Sequence, residues 1–352
     1  MKVNVFKIPQ QSPDDVTGLD ALIQSQAIQP EHIVAIMGKT EGNGCVNDFT
    51  RGFAVATLQH YLTPLIGGDR VQKIVFVMSG GTEGVLSPHL TVFTRQTEGL
   101  AGTPHVGLAL GVCHTRDFTV EEIGTVKMAQ VVADGVKHAM ATANLAPQDV
   151  HFVQIKCPLI TAARQAESDA SIPQDSYKSM AYSRGASALG VALALGELAP
   201  EEVTDDVICS NYTLYSSRAS TSAGVELRNC EILVLGNAPD SHSDFCIGHS
   251  VMQHALDTQA VERAIESAKS TKGSSATIVN VFAKAEASPS GEVLGCRHTM
   301  LDDSDVSHTR MARAVVGAVV ASVVQDPMVY VSGGSEHQGP PGGGPVAAIV
   351  KD

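Results

Sequence analysis

Three lysines in this chain stand at the ends of apolar, strand-like runs, and each is followed by an arginine and then by a serine. They are Lys39, Lys156 and Lys284. A lysine that is buried among other cations has its charged form disfavoured, so its pKa falls and it can act as a base. A neutral amine within hydrogen-bond reach can take the proton of a serine hydroxyl as that hydroxyl attacks a carbonyl carbon. The pattern therefore predicts nucleophilic serine–lysine chemistry.

The three serines share a further motif, in which small residues follow the serine and a glutamate stands four positions after it. The motifs run from Ser79 to Glu83, from Ser222 to Glu226 and from Ser332 to Glu336. Backbone N–H groups in such turns are suited to hold the oxyanion that forms when a carbonyl is attacked. We therefore expect the serines and the residues directly after them to face a substrate.

An arginine opens a helical stretch in each third of the chain, directly after a hydroxyl residue that we expect to be the helix N-cap. The pairs are Thr50-Arg51, Ser183-Arg184 and Thr309-Arg310. Guanidinium groups offer paired donors for carbonyl oxygens and for enolate or imidate anions. In the third stretch Arg313 lies three residues after Arg310, on one helical face with it. Either of these two can supply the third arginine.

The order lysine, arginine, serine returns at intervals of roughly 120 residues, which indicates an internal repeat. Each unit begins with a further strand and helix, so that it forms one α/β layer. We place the units at residues 1–103, 111–248 and 254–352. An open array would separate the polar groups widely, whereas closure would gather them. We therefore predict an α/β fold of three repeated units with pseudo-threefold symmetry around a central active site.

Composition and local pattern exclude several other classes of protein. The net charge of −13 disfavours a nucleic-acid surface, and the apolar runs are far shorter than the roughly 20 residues of a membrane span. The N-terminus lacks a secretion signal, so we expect a cytoplasmic protein. Gly38-Lys39-Thr40 is not a phosphate-binding loop, because Ile33 stands where that motif needs glycine. The histidines and cysteines lack the spacing of a catalytic zinc site.

A glycine- and proline-rich segment, Ser335 to Gly344, is peculiar to the third unit. Bare backbone carbonyl groups are good ligands for a hard cation, and Glu286 can add a carboxylate. The segment is therefore a candidate site for structural magnesium or calcium, while we expect no cofactor for catalysis.

Several long strings of this sequence resemble the cyanuric acid hydrolase and barbiturase family. They are the strings at 38–44, 78–84, 215–220 and 332–341, and the resemblance covers essentially the whole chain. It implies a three-unit α/β fold, a homotetramer and the hydrolytic opening of a cyclic amide. For cyanuric acid the product is carboxybiuret, which loses carbon dioxide to give biuret.

The resemblance also implies roles for individual residues. The working pair is Ser222, as nucleophile, and Lys156, as its base. The substrate contacts carry over to Arg51, Ser79, Gly80, Arg184, Ala223, Ser332, Gly333 and either Arg310 or Arg313. From the threefold pattern itself we expect Lys39 and Lys284, with Ser79 and Ser332, to position the other two edges of the ring. The metal ligands carry over to Glu286, Ser335, Gln338, Gly339, Pro340 and Gly343.

Two other functions stay open at this point. A barbiturase would hydrolyse barbituric acid to ureidomalonate, and a non-catalytic sensor would bind a small planar anion in the same pocket. Cyanuric acid presents three equivalent carbonyls and three N–H groups, which three copies of lysine, arginine and serine can satisfy on every edge. Barbituric acid has a methylene in place of one N–H. The threefold pattern therefore favours cyanuric acid.

Overall fold

A computed structural model describes residues 1–82, 84–166, 175–300 and 306–352 of the chain. Glu83, the last residue of the first serine motif, lies outside the described residues. Within them the chain forms three four-stranded sheets, each flanked by helices, and one short hairpin.

The first sheet and its helices occupy the first third of the chain. Their bounds are β1 Lys2–Pro9, α1 Thr17–Gln24, β2 Ile33–Thr40, α2 Phe49–Ile66, α3 Gly68–Val71, β3 Val75–Gly80 and β4 His89–Gln96. The second group comprises β5 His105–His114, α4 Val126–Thr142, β6 Val150–Pro158, α5 Ala162–Ala166, α6 Ser176–Leu195, β7 Ala219–Gly224 and β8 Glu231–Ser241.

The third group completes the chain. It comprises β9 Phe245–Met252, α7 Thr258–Lys272, β10 Thr277–Ala285, the hairpin β11 Glu292–Val293 and β12 Cys296–Arg297, α8 His308–Val324, β13 Tyr330–Gly333 and β14 Gly344–Lys351.

The three sheets have one and the same topology. Their strand orders are β1-β4-β2-β3, β5-β8-β6-β7 and β9-β14-β10-β13. In each sheet the second and third strands of the unit pair in parallel, and the other pairings are antiparallel. Each sheet also contacts both of the others, so the units form a closed ring. The prediction of three repeated α/β units is confirmed.

Each sheet buries both of its faces. The inner faces share one hydrophobic core at the centre of the ring, where the ring centroid of Phe282 lies 6.3 Å from that of Phe93 and 5.7 Å from that of Phe152. The outer faces pack against the helices in separate cores, two of them in the third unit. Alternate residues of a strand point to the same face, so Lys284, two residues after Phe282, also points inward.

The predicted N-caps are wrong. The cap of α2 is Asp48, whose side chain accepts a hydrogen bond from the backbone N–H of Thr50 at 3.1 Å. Ser183 lies well inside α6, and its hydroxyl instead donates to the carbonyl of Pro158. Thr309 is likewise the second residue of α8. These helices therefore begin before the hydroxyl–arginine pairs, which places the arginines within the helices.

The strands that make up each sheet can be compared with the predicted ranges of the three units. The strand β5 begins at His105 and β9 at Phe245, so the range 111–248 would divide β5, and the range 254–352 would leave β9 outside its own sheet. Boundaries near residues 97–104 and 242–244 would enclose each sheet whole. Among the described residues no helix combines the length and the apolar character needed to cross a membrane.

Candidate active site

The three lysines lie directly opposite the three serines in the sheets. The parallel strands pair Lys39 with Ser79, Lys156 with Ser222 and Lys284 with Ser332. All six residues are buried, and the lysines are only 3%, 1% and 0% exposed. Residues opposite each other in neighbouring strands point to the same face, so each serine stands beside its lysine. The repeat has thus placed three lysine–serine pairs at one end of the ring.

The arginines connect the units in a cycle. Arg51, from the first unit, donates to the backbone carbonyl of Ala223 in the second unit at 3.3 Å. Arg184, from the second unit, binds the carboxylate of Glu336 in the third with two hydrogen bonds of 2.6 and 2.8 Å. Arg313, from the third unit, reaches the carbonyl of Asn43 in the first at 3.5 Å. Each of the three arginines therefore contacts the next unit of the ring.

A pocket opens where these groups meet. Its empty space is about 310 Å³, counted out to the solvent at its mouth. It is lined by Gly44, Arg51, Met78, Ser79, Gly80, Met180, Arg184, Ser222, Ala223, Arg313, Ser332 and Gly333. The structure thus gathers three arginines, three serines and the residues that follow those serines around one small cavity.

Lys39 and Lys284, two of the predicted substrate contacts, are buried but do not line this pocket. Arg310 does not line it either. It is exposed, whereas Arg313 is only 4% exposed and lines the cavity. The guanidinium of Arg313 fills the space beside Gly333 and Gly44, where an added methyl group would collide with it. The third arginine therefore lies one helical turn later than the hydroxyl–arginine pattern predicts.

The hydroxyls of two units are joined beneath the pocket. The Oγ of Ser222 lies 3.0 Å from the Oγ of Ser332, and Ser332 in turn receives a 3.1 Å hydrogen bond from Nζ of Lys284. Lys284 also donates to the carbonyls of Thr221 and Gly333, at 2.7 and 3.1 Å. Burial lowers the pKa of Lys284 to about 7, and the positive charge of Arg184 adds to this effect.

Lys156 has a different set of neighbours. Its Nζ lies 3.2 Å from Oε1 of Glu226, the glutamate of its own serine motif. Burial lowers the pKa of Lys156, whereas the carboxylate of Glu226 raises it. Burial is the larger effect, so the pKa lies below its usual value. Glu231, opposite Lys156 on β8, accepts a 3.0 Å hydrogen bond from the N–H of Phe76 in the first unit. Burial raises the pKa of Glu231 to about 7.

The first and third units differ from the second in these details. Lys39 borders a separate hollow together with Glu41 and Gly81. In the third unit Glu336 pairs with Arg184. Burial alone would lower the pKa of Arg184, but the carboxylate of Glu336 outweighs burial and raises it. Arg184 is therefore held as a charged guanidinium at the wall of the pocket.

The predicted metal ligands come together in part. Oε2 of Glu286 accepts a 3.2 Å hydrogen bond from the N–H of Ser335, whose hydroxyl lies 3.3 Å from the carbonyl of Gly343. The side-chain oxygen of Gln338 instead accepts from the N–H of Thr221 at 2.7 Å, and its amide nitrogen donates to two backbone carbonyls. Within Gln338, the backbone carbonyl is therefore the group that is suited to bind a cation, and the side chain is not.

The charges around this loop favour a cation. Burial raises the pKa of Glu286, and the nearby carboxylate of Glu336 raises it further. Among the described residues there is no group of three or more histidine, cysteine, aspartate or glutamate side chains that could hold a metal ion. A cation here would therefore rely on one carboxylate and on hydroxyl and carbonyl oxygens, a set that suits Mg²⁺ or Ca²⁺.

Sequence reasoning assigned no role to four residues of the site. Glu226 and Glu336 are visible in the sequence as the repeated end of the serine motif, although their partners are not. Asp48 caps α2, and its Oδ2 accepts a 2.8 Å hydrogen bond from the N–H of Gly44 at the pocket wall. Met180, on α6, also lines the pocket and carries no signal in the sequence.

Comparison with known proteins agrees with this geometry. The chain matches the family described as "Amidohydrolase ring-opening protein" over residues 4–351. It is similar to a cyanuric acid amidohydrolase of Enterobacter cloacae, with 51% identity covering 100% of both chains. A cyclic amide hydrolase of Azorhizobium caulinodans is 48% identical, again over 100% of both chains.

Solved structures of similar proteins share the whole fold. The crystal structure of the cyanuric acid hydrolase from A. caulinodans matches with a TM-score of 0.91 and 49% identity over 99% of each chain. A second structure, of a cyanuric acid hydrolase described as an innovation by structural concatenation, has a TM-score of 0.92 and 48% identity. It covers 100% of this chain and 99% of its own. The chain therefore belongs to the family of ring-opening amidohydrolases.

Proposed function

We propose that this protein hydrolyses cyanuric acid, opening the ring to carboxybiuret, which then loses carbon dioxide to give biuret. The observation that carries the proposal is the pocket itself, which three serines and three arginines from the three units line, each serine lying opposite a buried lysine in its sheet. Cyanuric acid repeats a carbonyl and an N–H three times around its ring. The similar proteins named as cyanuric acid hydrolases support the same substrate.

The proposed nucleophile is Ser222, with Lys156 as its partner in proton transfer. Lys156 in its neutral form takes the proton of the Ser222 hydroxyl while the serine oxygen bonds to a ring carbonyl carbon. The carbonyl oxygen becomes an oxyanion, which backbone N–H groups at the serine turns and an arginine stabilise. The C–N bond of the ring then breaks, the leaving nitrogen takes a proton, and water hydrolyses the acyl-enzyme.

The other polar groups would hold the remaining edges of the ring. Arginine is suited to this, because its planar donors match carbonyl and imidate oxygens. The substrate-binding set of the proposal comprises Arg51, Arg184, Arg313, Ser79, Ser332, Lys39 and Lys284 as side chains, and Gly80, Ala223 and Gly333 through their backbone. Arg310 is left out of this set because it is exposed.

Two further features belong to the proposal. A structural Mg²⁺ or Ca²⁺ would be held by the carboxylate of Glu286 with oxygens of Ser335 and Gly343 and carbonyls between residues 338 and 340, where it would neutralise the buried carboxylate without entering the reaction. The active assembly would be a homotetramer. Metal analysis and light scattering of the purified protein test these two features.

The reaction is tested with purified protein and cyanuric acid. Loss of the ring absorbance together with the appearance of biuret is the expected result, and Ser222→Ala is the matched inactive control. Barbituric acid is assayed in parallel, and faster turnover of it would make the protein a barbiturase. Thermal stabilisation by cyanuric acid with no ring opening would indicate a sensor and contradict the proposal.

A further inference from the structure

The glutamate that ends the serine motif has a different partner in each of the two units where the structure describes it. In the third unit Glu336 binds Arg184 with two hydrogen bonds. In the second unit Oε1 of Glu226 lies 3.2 Å from Nζ of Lys156. Two nearly identical motifs therefore build two different ion pairs, and Glu226 is the one that serves the lysine of its own unit.

Gly224 is the residue that lets Glu226 reach Lys156. The Glu226 side chain folds back over the end of β7, and a methyl group on Gly224 would collide with both of its carboxylate oxygens. At the corresponding position of the third unit, Gly334, a methyl group would instead meet the guanidinium of Arg184 at 2.6 Å. The same glycine thus makes room for its own carboxylate in one unit and for a neighbour's arginine in the other.

The charge balance at Lys156 gives this contact a chemical consequence. Lys156 is 1% exposed, while 32% of the Glu226 side chain is exposed. Burial lowers the pKa of Lys156, Glu226 raises it, and Arg51 lowers it further. Cys157 and Glu231 also face this cluster, His114 lies 4.0 Å from Glu231, and the Tyr330 hydroxyl adjoins Ser222. An ammonium that forms in so buried a place needs a nearby negative charge, and Glu226 provides one.

We propose that Glu226 is a positioning residue for Lys156, aiming its amine at Ser222 and stabilising the ammonium that forms when Lys156 takes the Ser222 proton. In a catalytic arrangement of a nucleophile, a base and a residue that orients the base, Ser222, Lys156 and Glu226 would take these three roles in turn. The O–H bond of Ser222 breaks, its proton moves to Nζ of Lys156, and the serine oxygen bonds to the electrophile. The inference rests on the proposed function for the identity of the substrate only, because the reactivity of Ser222 is measurable without that substrate.

The test follows the covalent modification of Ser222 by methanesulfonyl fluoride, read by intact mass between about pH 5 and 10. In this reaction the serine oxygen bonds to sulfur and fluoride leaves. We expect Glu226→Gln to slow the plateau of the pH–rate profile about 10- to 100-fold. The acidic limb of that profile moves about one pH unit lower, because the carboxylate no longer favours charged Lys156. Glu226→Asp restores part of the rate. The exposed Glu262→Gln, on α7, is the control that changes neither quantity.

Gly224→Ala tests the same contact without removing the carboxylate. It displaces Glu226 from Lys156, so it reproduces the effect of Glu226→Gln, and the double variant is no slower than the slower single variant. A Glu226→Gln protein that keeps the acidic limb unchanged, whether its rate is normal or uniformly reduced together with its melting temperature, overturns the proposal. If Ser222 behaves as expected but cyanuric acid is not opened, the proposed function fails and the role of Glu226 stands.

Discussion

Replacing each of the three serines by alanine in turn identifies the working unit, because the structure gives the three hydroxyls unequal surroundings. Ser222→Ala removes the proposed nucleophile, so we expect kcat to fall by at least about 10³-fold. The Oγ of Ser79 donates to the carbonyl of Val331 at 2.9 Å and makes no hydrogen bond to Ser222 in the described contacts. The proposed contact of Ser79 with the substrate is one hydrogen bond, worth about 1 kcal/mol, so its loss corresponds to a roughly fivefold higher KM with kcat nearly unchanged.

Ser332→Ala is expected to lie between these extremes. The Oγ of Ser332 contacts both Ser222, at 3.0 Å, and Nζ of Lys284, at 3.1 Å. Its removal leaves a buried lysine with one partner fewer and the nucleophile without its hydroxyl neighbour, so kcat falls about 10- to 100-fold.

Initial rates of ring opening over a range of substrate concentrations separate kcat from KM for the three variants, and melting curves identify any variant that has simply lost its fold. Intact-mass spectra of protein mixed with substrate add an independent observation, because an acyl group on Ser222 must be absent from Ser222→Ala. If Ser222→Ala turned over normally while Ser79→Ala did not, the nucleophile would belong to the first unit, and the reasoning from the second unit would be refuted.

Three further predictions concern the charged groups. Arg313→Ala should lower kcat/KM at least about tenfold while Arg310→Ala stays within about twofold, and equal losses in both would contradict the placement of the third arginine. Glu336→Gln leaves the Arg184 guanidinium buried without its carboxylate, so unfolding in denaturant should show a loss of about 3–5 kcal/mol; a loss under 1 kcal/mol would not fit. Glu231 keeps its proton up to about pH 7 when folded but only up to about 4.5 when unfolded, so stability falls as pH rises through this window. The melting temperature of Glu231→Gln relative to the unchanged protein should therefore rise between pH 5 and 7, and a constant difference would show that Glu231 does not titrate there.

The sequence was sufficient for the repeat and for most of the residues around the pocket. A lysine and a serine that recur in fixed order can be recognised without knowing how strands pair, and Lys156 and Ser222 are indeed opposite each other in parallel strands. The arginine of the third unit was not fixed in the same way. Arg310 and Arg313 lie on one helical face, and which of them enters the pocket depends on how α8 packs against the sheet. Gly333 permits that packing, because a side chain there would collide with Arg313.

The glutamates show a second limit of sequence reasoning. The motif places Glu226 and Glu336 identically relative to their serines, yet one binds a lysine of its own unit and the other an arginine of the preceding unit. An ion pair across units depends on the distance between sheets, which local pattern does not encode. Repeats therefore predict which residue types meet at the centre, while the pairing among them is decided by the closure of the ring.

Closure of the ring is also what makes the site. Arg51 reaches the second unit, Arg184 the third and Arg313 the first, so each of the three arginines contacts a unit other than its own. A single unit, or an open chain of three, would lack this arrangement even with every side chain present. The cyclic exchange breaks the equivalence of the units as well, because the arginine that enters the third unit takes its glutamate, and the lysine of that unit is left with carbonyl and hydroxyl partners. On the proposed mechanism, a threefold scaffold recognises a threefold ring on all its edges, while unequal ion pairs within the scaffold restrict the covalent chemistry to one of them.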